Sequence, residues 1–241
     1  MRIDDKTVLI TGTNRGIGRA LVEEALRRGA RRVYAGTRRP LPYSDQRVTP
    51  VTLDVTNAAQ IQEAVKSIEL LDILINNAGV VQYGDDLSDR SVLERQLATN
   101  LFGPHEMTRA FLPLLIRSRG AVVNNLTLAA LAAVPLSPAY SISKAAALSL
   151  TQSLRALVAG RGVKVHAVFS GPVDTDMTQS LEVRKASPES FAQAVFDAVE
   201  KGQEDIFPDP MSGAVGEGWR NGVSKALERQ FSELVGASAN S

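Results

Sequence analysis

The chain is predicted to fold as a single α/β domain, a doubly wound parallel sheet flanked by helices. Short β-branched runs alternate with helix-patterned segments along its length. A glycine-rich loop follows the first of these runs and opens an apolar-periodic helix. No internal repeat, low-complexity stretch or linker divides the 241 residues, so one domain spans 1–241. With 44% hydrophobic and 22% charged residues, a chain of this length can bury one continuous core.

Composition narrows the possible partners. The 27 basic and 26 acidic residues leave a net charge of +1 with no long block of one sign. Neither nucleic acid nor a membrane surface is therefore an electrostatic expectation, and a small molecule is the expected partner. The lack of cysteine removes disulfides, thiolate catalysis and zinc–thiolate sites. His105 and His166 each stand without a second histidine three or four residues on, so no metal is expected. The first residues, Met1 to Lys6, lack signal-peptide character, and no apolar run reaches the ~20 residues of a membrane span. A soluble, cytoplasmic protein is the expectation.

Taken in order, Thr7–Thr11 reads as a buried strand that breaks into Gly12-Thr13-Asn14-Arg15-Gly16-Ile17-Gly18 before a helix from about Arg19 to Arg28. Glycines there let the backbone approach a pyrophosphate, and the helix N-terminus favours its negative charge. The second strand, Arg32–Gly36, ends at Thr37-Arg38-Arg39-Pro40. An acid at that position would hold a ribose 2′-hydroxyl and repel a 2′-phosphate, but none is present. Arg38 and Arg39, with Arg15, instead suit a phosphate.

A third strand covers Val48–Val55 and precedes an amphipathic helix, Ala58–Ile68. A fourth, Leu71–Ile75, opens into Asn76-Asn77-Ala78-Gly79, small and amide-rich where parallel sheets bind ligands. Ser91–Arg117 reads as one long helix, kinked near Gly103-Pro104 and Pro113, with Asn100 projecting from it. The fifth strand, Ala121–Leu126, leads to Thr127 and an apolar loop, Leu128–Pro138.

That loop delivers the chain to Tyr140-Ser141-Ile142-Ser143-Lys144 and an alanine- and leucine-rich helix ending near Gly160. On a helix the phenol and the ammonium share one face. A lysine cation held close is expected to favour the phenolate and make the pair acid/base equipment. The sixth strand, Val163–Phe169, ends in turn residues Ser170 to Thr175. Residues 176–187 read as an irregular lid, and Ser187-Pro188-Glu189 caps a helix to about Lys201. Ile206-Phe207-Pro208 is a candidate last strand, Gly218–Leu234 a final helix, and 236–241 a frayed tail.

The motifs, in this order, resemble the short-chain dehydrogenase/reductase family from Lys6 to about Val235. They are Thr11-Gly12-x-x-x-Gly16-Ile17-Gly18, Asp54, Asn76-Asn77-Ala78-Gly79, Asn100, the hydroxyl residue Thr127, Tyr140-x-x-x-Lys144 and the Gly171 to Thr175 turn. The resemblance implies a Rossmann-like fold and hydride transfer between NADP(H) and a carbonyl or secondary alcohol. By position, Tyr140 would be the acid/base, with Lys144 lowering its pKa and holding the nicotinamide ribose. Asn100 would support a water relay to that lysine, and Thr127 would orient the substrate oxygen. Asp54 would meet the adenine, Asn76 would help hold the cofactor, and Thr175 would contact the carboxamide. Gly12, Asn14, Arg15, Gly16, Ile17, Gly18, Thr37, Arg38, Val55, Ala78, Gly79, Gly171 and Val173 complete the implied cofactor site.

Two positions depart from the family pattern. Thr127 stands where serine is usual, and Ser170 where proline commonly precedes Gly171, which leaves that turn expected to be looser. The altered Thr127 also keeps open a cofactor-binding sensor or scaffold of the same fold. A sugar-nucleotide epimerase or dehydratase fits less well, because three residues separate the first two glycines and the C-terminal region is short. Val80, Val81, Leu128 to Leu136 and the region around Met177 point to a hydrophobic ketone. Relatives pair the helices bearing Asn100 and Tyr140 across a symmetry axis. Ala145, Ala146, Leu148 and Leu150 are therefore expected to form a homodimer or homotetramer contact.

Overall fold

In the computed structural model the described residues are 1–39 and 41–238, with side chains described through residue 234. Seven parallel strands form one sheet in the order β3-β2-β1-β4-β5-β6-β7. They are β1 Thr7–Thr11, β2 Arg32–Thr37, β3 Val48–Thr52, β4 Ile73–Asn76, β5 Ala121–Asn125, β6 Lys164–Val168 and β7 Asp205–Ile206. The order reverses between β1 and β4, so a crevice opens beyond their carboxyl ends. This is the Rossmann-like doubly wound sheet predicted, as a single domain.

The strands are apolar on both faces because both faces are covered. Val8, Ile10, Val33, Ile73 and Ile75 pack with Leu21, Val22 and Ala25 of α1 (Gly16–Arg27) and with Phe191, Val195 and Phe196 of α6 (Pro188–Glu200). Leu9, Leu74, Val122 and Val165 turn the other way. They meet Ile61 and Ala64 of α2 (Ala58–Ser67) and Met107, Phe111 and Leu115 of α4 (Gly103–Ser118). The two-residue alternation thus builds two apolar layers from one set of strands.

Local chemistry explains where the helices start. Asn57 accepts from the Gln60 amide at α2, and Ser187 accepts from the Ser190 amide beside Pro188 at α6. The first helix starts at Gly16, earlier than the expected Arg19, because the second half of the glycine loop is already its first turn.

The long helix expected over Ser91–Arg117 is instead α3 (Arg90–Leu97), a π-helical turn (Ala98–Phe102) and α4. Pro104 sits in the first turn of α4, where its missing N–H costs little. Pro113 lies inside α4 without ending it. The π turn carries Asn100, and such insertions are frequent at functional sites.

The C-terminal region departs further from expectation. Residues 218–220, expected to begin one final helix, belong to α7 (Pro210–Arg220), and α8 (Val223–Ser238) follows a break at Asn221-Gly222. Asp209 caps α7 in a reciprocal box with Ser212, and Pro210 occupies the first turn. That start signal lay in the sequence beneath three helix-weakening glycines, Gly213, Gly216 and Gly218. The tail expected to fray from Gly236 is helical through Ser238, and 239–241 lie outside the described residues. Among the described residues no helix is long and apolar enough to cross a membrane.

Residues 176–187 are less irregular than expected. They open on a 3₁₀ turn, Asp176–Thr178, in which Thr178 N donates to Thr175 O at 3.0 Å. They close where Asp174 N donates to Ala186 O at 2.8 Å and Ala186 N to Pro172 O at 3.1 Å.

An ionic cluster fastens α8 to α5 (Pro138–Val158) and to the sheet edge. The Lys225 ammonium lies 2.9 Å from Asp205, 3.0 Å from Glu228 and 3.1 Å from Glu204. Arg155 of α5 pairs with Glu228 and lies 2.9 Å from Asp205, while Trp219 Nε1 donates to Asp205 at 2.8 Å. Burial raises the Asp205 carboxyl, but the Arg155 charge and the Lys225 and Trp219 contacts outweigh it and hold its pKa below the ordinary value.

Removing one member of such a cluster leaves buried charge uncompensated. Lys225→Met should therefore destabilise the fold by about 3 kcal/mol, a loss of roughly 6 to 12 °C in Tm. Because the folded pKa of Asp205 is depressed, its contribution is present above the unfolded value and lost as pH falls through the folded one. The deficit of the variant should accordingly shrink in acid below about pH 4. Calorimetry across pH checks both, and equal Tm values at neutral pH would show that the cluster contributes nothing.

Candidate functional site

A cleft of about 1040 Å³ lies beyond the carboxyl ends of the central strands. One end is the glycine loop, where sterics leave no choice of residue. Gly12 has φ +73°, and a Cβ there would stand 2.9 Å from the Ala78 Cα; one on Gly18 would stand 2.0 Å from the Gly12 carbonyl oxygen. Asn77 staples the loop to β4: its Nδ2 donates to Thr11 O at 3.0 Å and to Gly12 O at 3.2 Å. The Thr11 hydroxyl in return accepts from the amides of Asn77 and Ala78, each at 3.0 Å. No side chain caps α1 and no acid sits in its first turn, so its positive end opens into the cleft. That arrangement fits a phosphate-bearing cofactor.

Further along the cleft stand Thr37, Arg38, Arg39, Asp54, Val55 and Thr56. Asp54 accepts from the Thr56 hydroxyl at 2.7 Å and the Thr56 amide at 2.9 Å. These bonds, with the nearby Arg38 charge, hold its carboxyl below the ordinary value despite some burial. Arg15 takes a different partner from the one expected. Its guanidinium lies 2.5 Å from Asp176, the first residue of the 3₁₀ turn, and links the glycine loop to residues 176–178 across the mouth.

At the other end α5 presents its first turns. Ala139 N donates to Asp85 Oδ1 at 3.3 Å, so a residue from the loop after β4 does the capping that Ser137 does not. Tyr140 and Lys144 share one face, with Nζ 5.7 Å from the phenol ring centroid. Lys144 Nζ donates to Asn125 O at 2.8 Å. The expectation that the lysine cation would draw Tyr140 toward phenolate is not met. Burial pushes the phenol well above its ordinary value, with Tyr83 adding to this, and burial lowers Lys144 to about 8. Desolvation outweighs the attraction because it penalises both charged forms.

Comparison with known proteins adds an independent line. The sequence profile described as short chain dehydrogenase matches residues 6–186. The chain belongs to the short-chain dehydrogenase family. It is 34% identical over 207 residues to 2-(S)-hydroxypropyl-CoM dehydrogenase 3 of Xanthobacter autotrophicus, covering 80% of this chain and 81% of that one. A short chain dehydrogenase from Burkholderia cenocepacia, solved in complex with NADP, is 35% identical with a TM-score of 0.87, covering 95% of this chain and 98% of that one. A short chain dehydrogenase/reductase from Burkholderia phymatum, solved with NAD, shares the fold at 21% identity and a TM-score of 0.77, over 89% and 92% of the two chains.

Most residues singled out in this short-chain dehydrogenase line the one cleft: Gly12, Asn14, Gly16, Ile17, Gly18, Ala78, Gly79, Thr127, Gly171, Val173 and Thr175 join those already named. Asn76 does not. Its Nδ2 donates to Asn124 Oδ1 at 2.8 Å and to the Thr108 hydroxyl at 3.2 Å, inside the layer between β4 and β5, and its neighbour Asn77 faces the cleft instead. Asn100 is also not part of the cleft lining, and no hydrogen bond joins it to Lys144 among the described residues. Its Oδ1 accepts from Val80 N, and its Nδ2 donates to Val80 O and to the Ser143 hydroxyl, each at 2.9 Å. It ties the loop after β4 to α5.

The Thr127 hydroxyl donates to Ser170 O at 3.1 Å and accepts from Ala129 N at 3.4 Å, so its proton is engaged here. Nor is the turn at Ser170 loose, because Gly171 N donates to Asp209 Oδ2 at 2.8 Å. Sequence reasoning missed Tyr83, Ser137, Leu181 and Met211, all of which line the cleft. Recognising the Asp209-Pro210 helix start would have exposed Met211; Tyr83 lay in a loop with no pattern to mark it.

Proposed function

We propose that the protein is an NADP(H)-dependent oxidoreductase acting on a carbonyl or secondary alcohol, and that the substrate is a hydrophobic ketone. The observation that carries this reading is a phenol and a lysine on the first turns of one helix, in the same cleft as an uncapped helix N-terminus. The cofactor, when bound, supplies or takes the hydride.

The glycine loop and the amides of α1 would hold its pyrophosphate, with Asn14, Ile17, Val55, Ala78, Gly79, Gly171, Val173 and Thr175 around the remainder. Arg38 would hold a 2′-phosphate, with Thr37 beside it, and Arg15 would reach that phosphate only by leaving Asp176. Tyr140, kept protonated by burial, gives its proton to the substrate oxygen as a carbonyl is reduced. Lys144, near pKa 8, passes a replacement proton inward, and Asn100 holds the wall behind it. Thr127 orients the substrate oxygen by turning its hydroxyl from Ser170 O. Val80, Val81, Val134, Leu136, Leu181, Met177 and Met211 supply the apolar wall. A sensor that binds cofactor without turnover is less favoured, because the Tyr140 hydroxyl makes no hydrogen bond among the described residues.

Assembly through α4 and α5 belongs to the same reading. Phe102, Ile142 and Leu157 are exposed there together with Ala145, whereas Leu148, expected on this face, is buried in the core. Light scattering at micromolar concentration should show a homodimer or homotetramer that Ala145→Arg dissociates, and a monomeric parent would refute it.

A charged hydrogen bond from Arg38 to the 2′-phosphate would contribute roughly 1.5 to 3 kcal/mol, so kcat/KM should favour NADPH over NADH by about tenfold to a hundredfold. Arg38→Asp should reverse the preference, and equal efficiency of the parent with both cofactors would sink the assignment.

The proton step predicts a pH profile. Alcohol oxidation should rise through about pH 8 as Lys144 gives up its proton, and carbonyl reduction should fall over the same range. Rates flat between roughly pH 6 and 10 in both directions would rule Lys144 out of the proton path.

A further inference from the structure

The cleft contains a second phenol besides Tyr140. Tyr83 lies on the loop after β4, and that loop is held on both sides of it. On one side Val80 exchanges two hydrogen bonds with the Asn100 amide, each 2.9 Å long. On the other, Gly84 N donates to Leu136 O at 2.9 Å, and Asp85 caps the helix that bears Tyr140. Gly84 makes this turn with φ +72°. The backbone on both sides of Tyr83 is therefore anchored, and its side chain lines the cleft with Val81, Val134 and Leu136.

Its hydroxyl, like that of Tyr140, hydrogen-bonds no other described residue. Partial burial raises the Tyr83 pKa, and the Tyr83 phenol lies close enough to add to the upward push on Tyr140. In an open cleft water satisfies such a hydroxyl. Tyr83 remains 36% exposed, so a substrate that covers it replaces that water, and a substrate oxygen within reach keeps the hydrogen bond that an apolar group would forfeit.

We propose that Tyr83 is a specificity-determining residue that hydrogen-bonds a second oxygen of the substrate. The preferred substrates are then ketones or secondary alcohols carrying another hydroxyl, carbonyl or ester oxygen near the reacting carbon. This rests on the oxidoreductase reading above. With Tyr140 on the reacting oxygen and Tyr83 on the second, the substrate is held at two points, which fixes which of its oxygens lies at Tyr140. A site built to bond an oxygen disfavours the analogue that lacks it, because its own polar group is left unpaired.

The test compares the full-length parent with Tyr83→Phe, using acetoin and ethyl acetoacetate against butanone, followed by cofactor absorbance. Tyr83→Phe keeps the ring and removes only the hydroxyl. The ratio of kcat/KM for the oxygenated substrates over that for butanone should fall about tenfold or more, chiefly through KM. Parent turnover of all three with an unchanged ratio in Tyr83→Phe would overturn the Tyr83 assignment alone. An equal loss on all three, with an altered melting curve, would overturn it in favour of a structural role. A parent inactive on these and on a wider ketone panel would overturn the oxidoreductase reading, and this assignment with it.

Discussion

The structure depends on a knot of hydrogen bonds where the sheet reverses direction. Thr11 at the end of β1 and Asn77 just beyond β4 exchange bonds through side chains and backbone, and Asn77 also receives the Asn125 amide at 3.0 Å. Asn125 at the end of β5 in turn accepts the Lys144 ammonium on its carbonyl. Four segments distant in sequence are thereby fixed to one another. The glycine loop cannot move without disturbing Asn77, nor Asn77 without disturbing the residue that anchors Lys144. The buried groups of this knot are mostly partnered, which is the condition under which a polar network inside a protein specifies one geometry.

Burial of that knot also sets the electrostatics of the cleft. Burial disfavours charge, so it pushes the phenol of Tyr140 up and brings Lys144 down to about 8. The helix presenting them gains its first-turn bond from Asp85, and the π turn places Asn100 where it binds both the Asp85 loop and α5. The Tyr140 end of the cleft is thus held by long-range contacts rather than by the helix itself. The outer rim is of another kind: the Arg15–Asp176 pair is exposed on both sides and is held only by a solvent-screened attraction.

Sequence alone determined the strands, the doubly wound sheet, the glycine loop and the Tyr-x-x-x-Lys pair. Each is encoded locally, by apolar runs of β-branched residues, by backbone conformations only glycine tolerates, or by the spacing of a helix face. Only the tertiary structure decided which of two adjacent asparagines faces the cleft, because side chains alternate along a strand and the answer depends on where β4 ends. It also decided that Arg15 meets Asp176, that Thr127 meets Ser170 and that Tyr83 lines the same cleft as Tyr140. Those partners are separated by tens to hundreds of residues, and their meeting follows from the packing of whole layers, which no local pattern records.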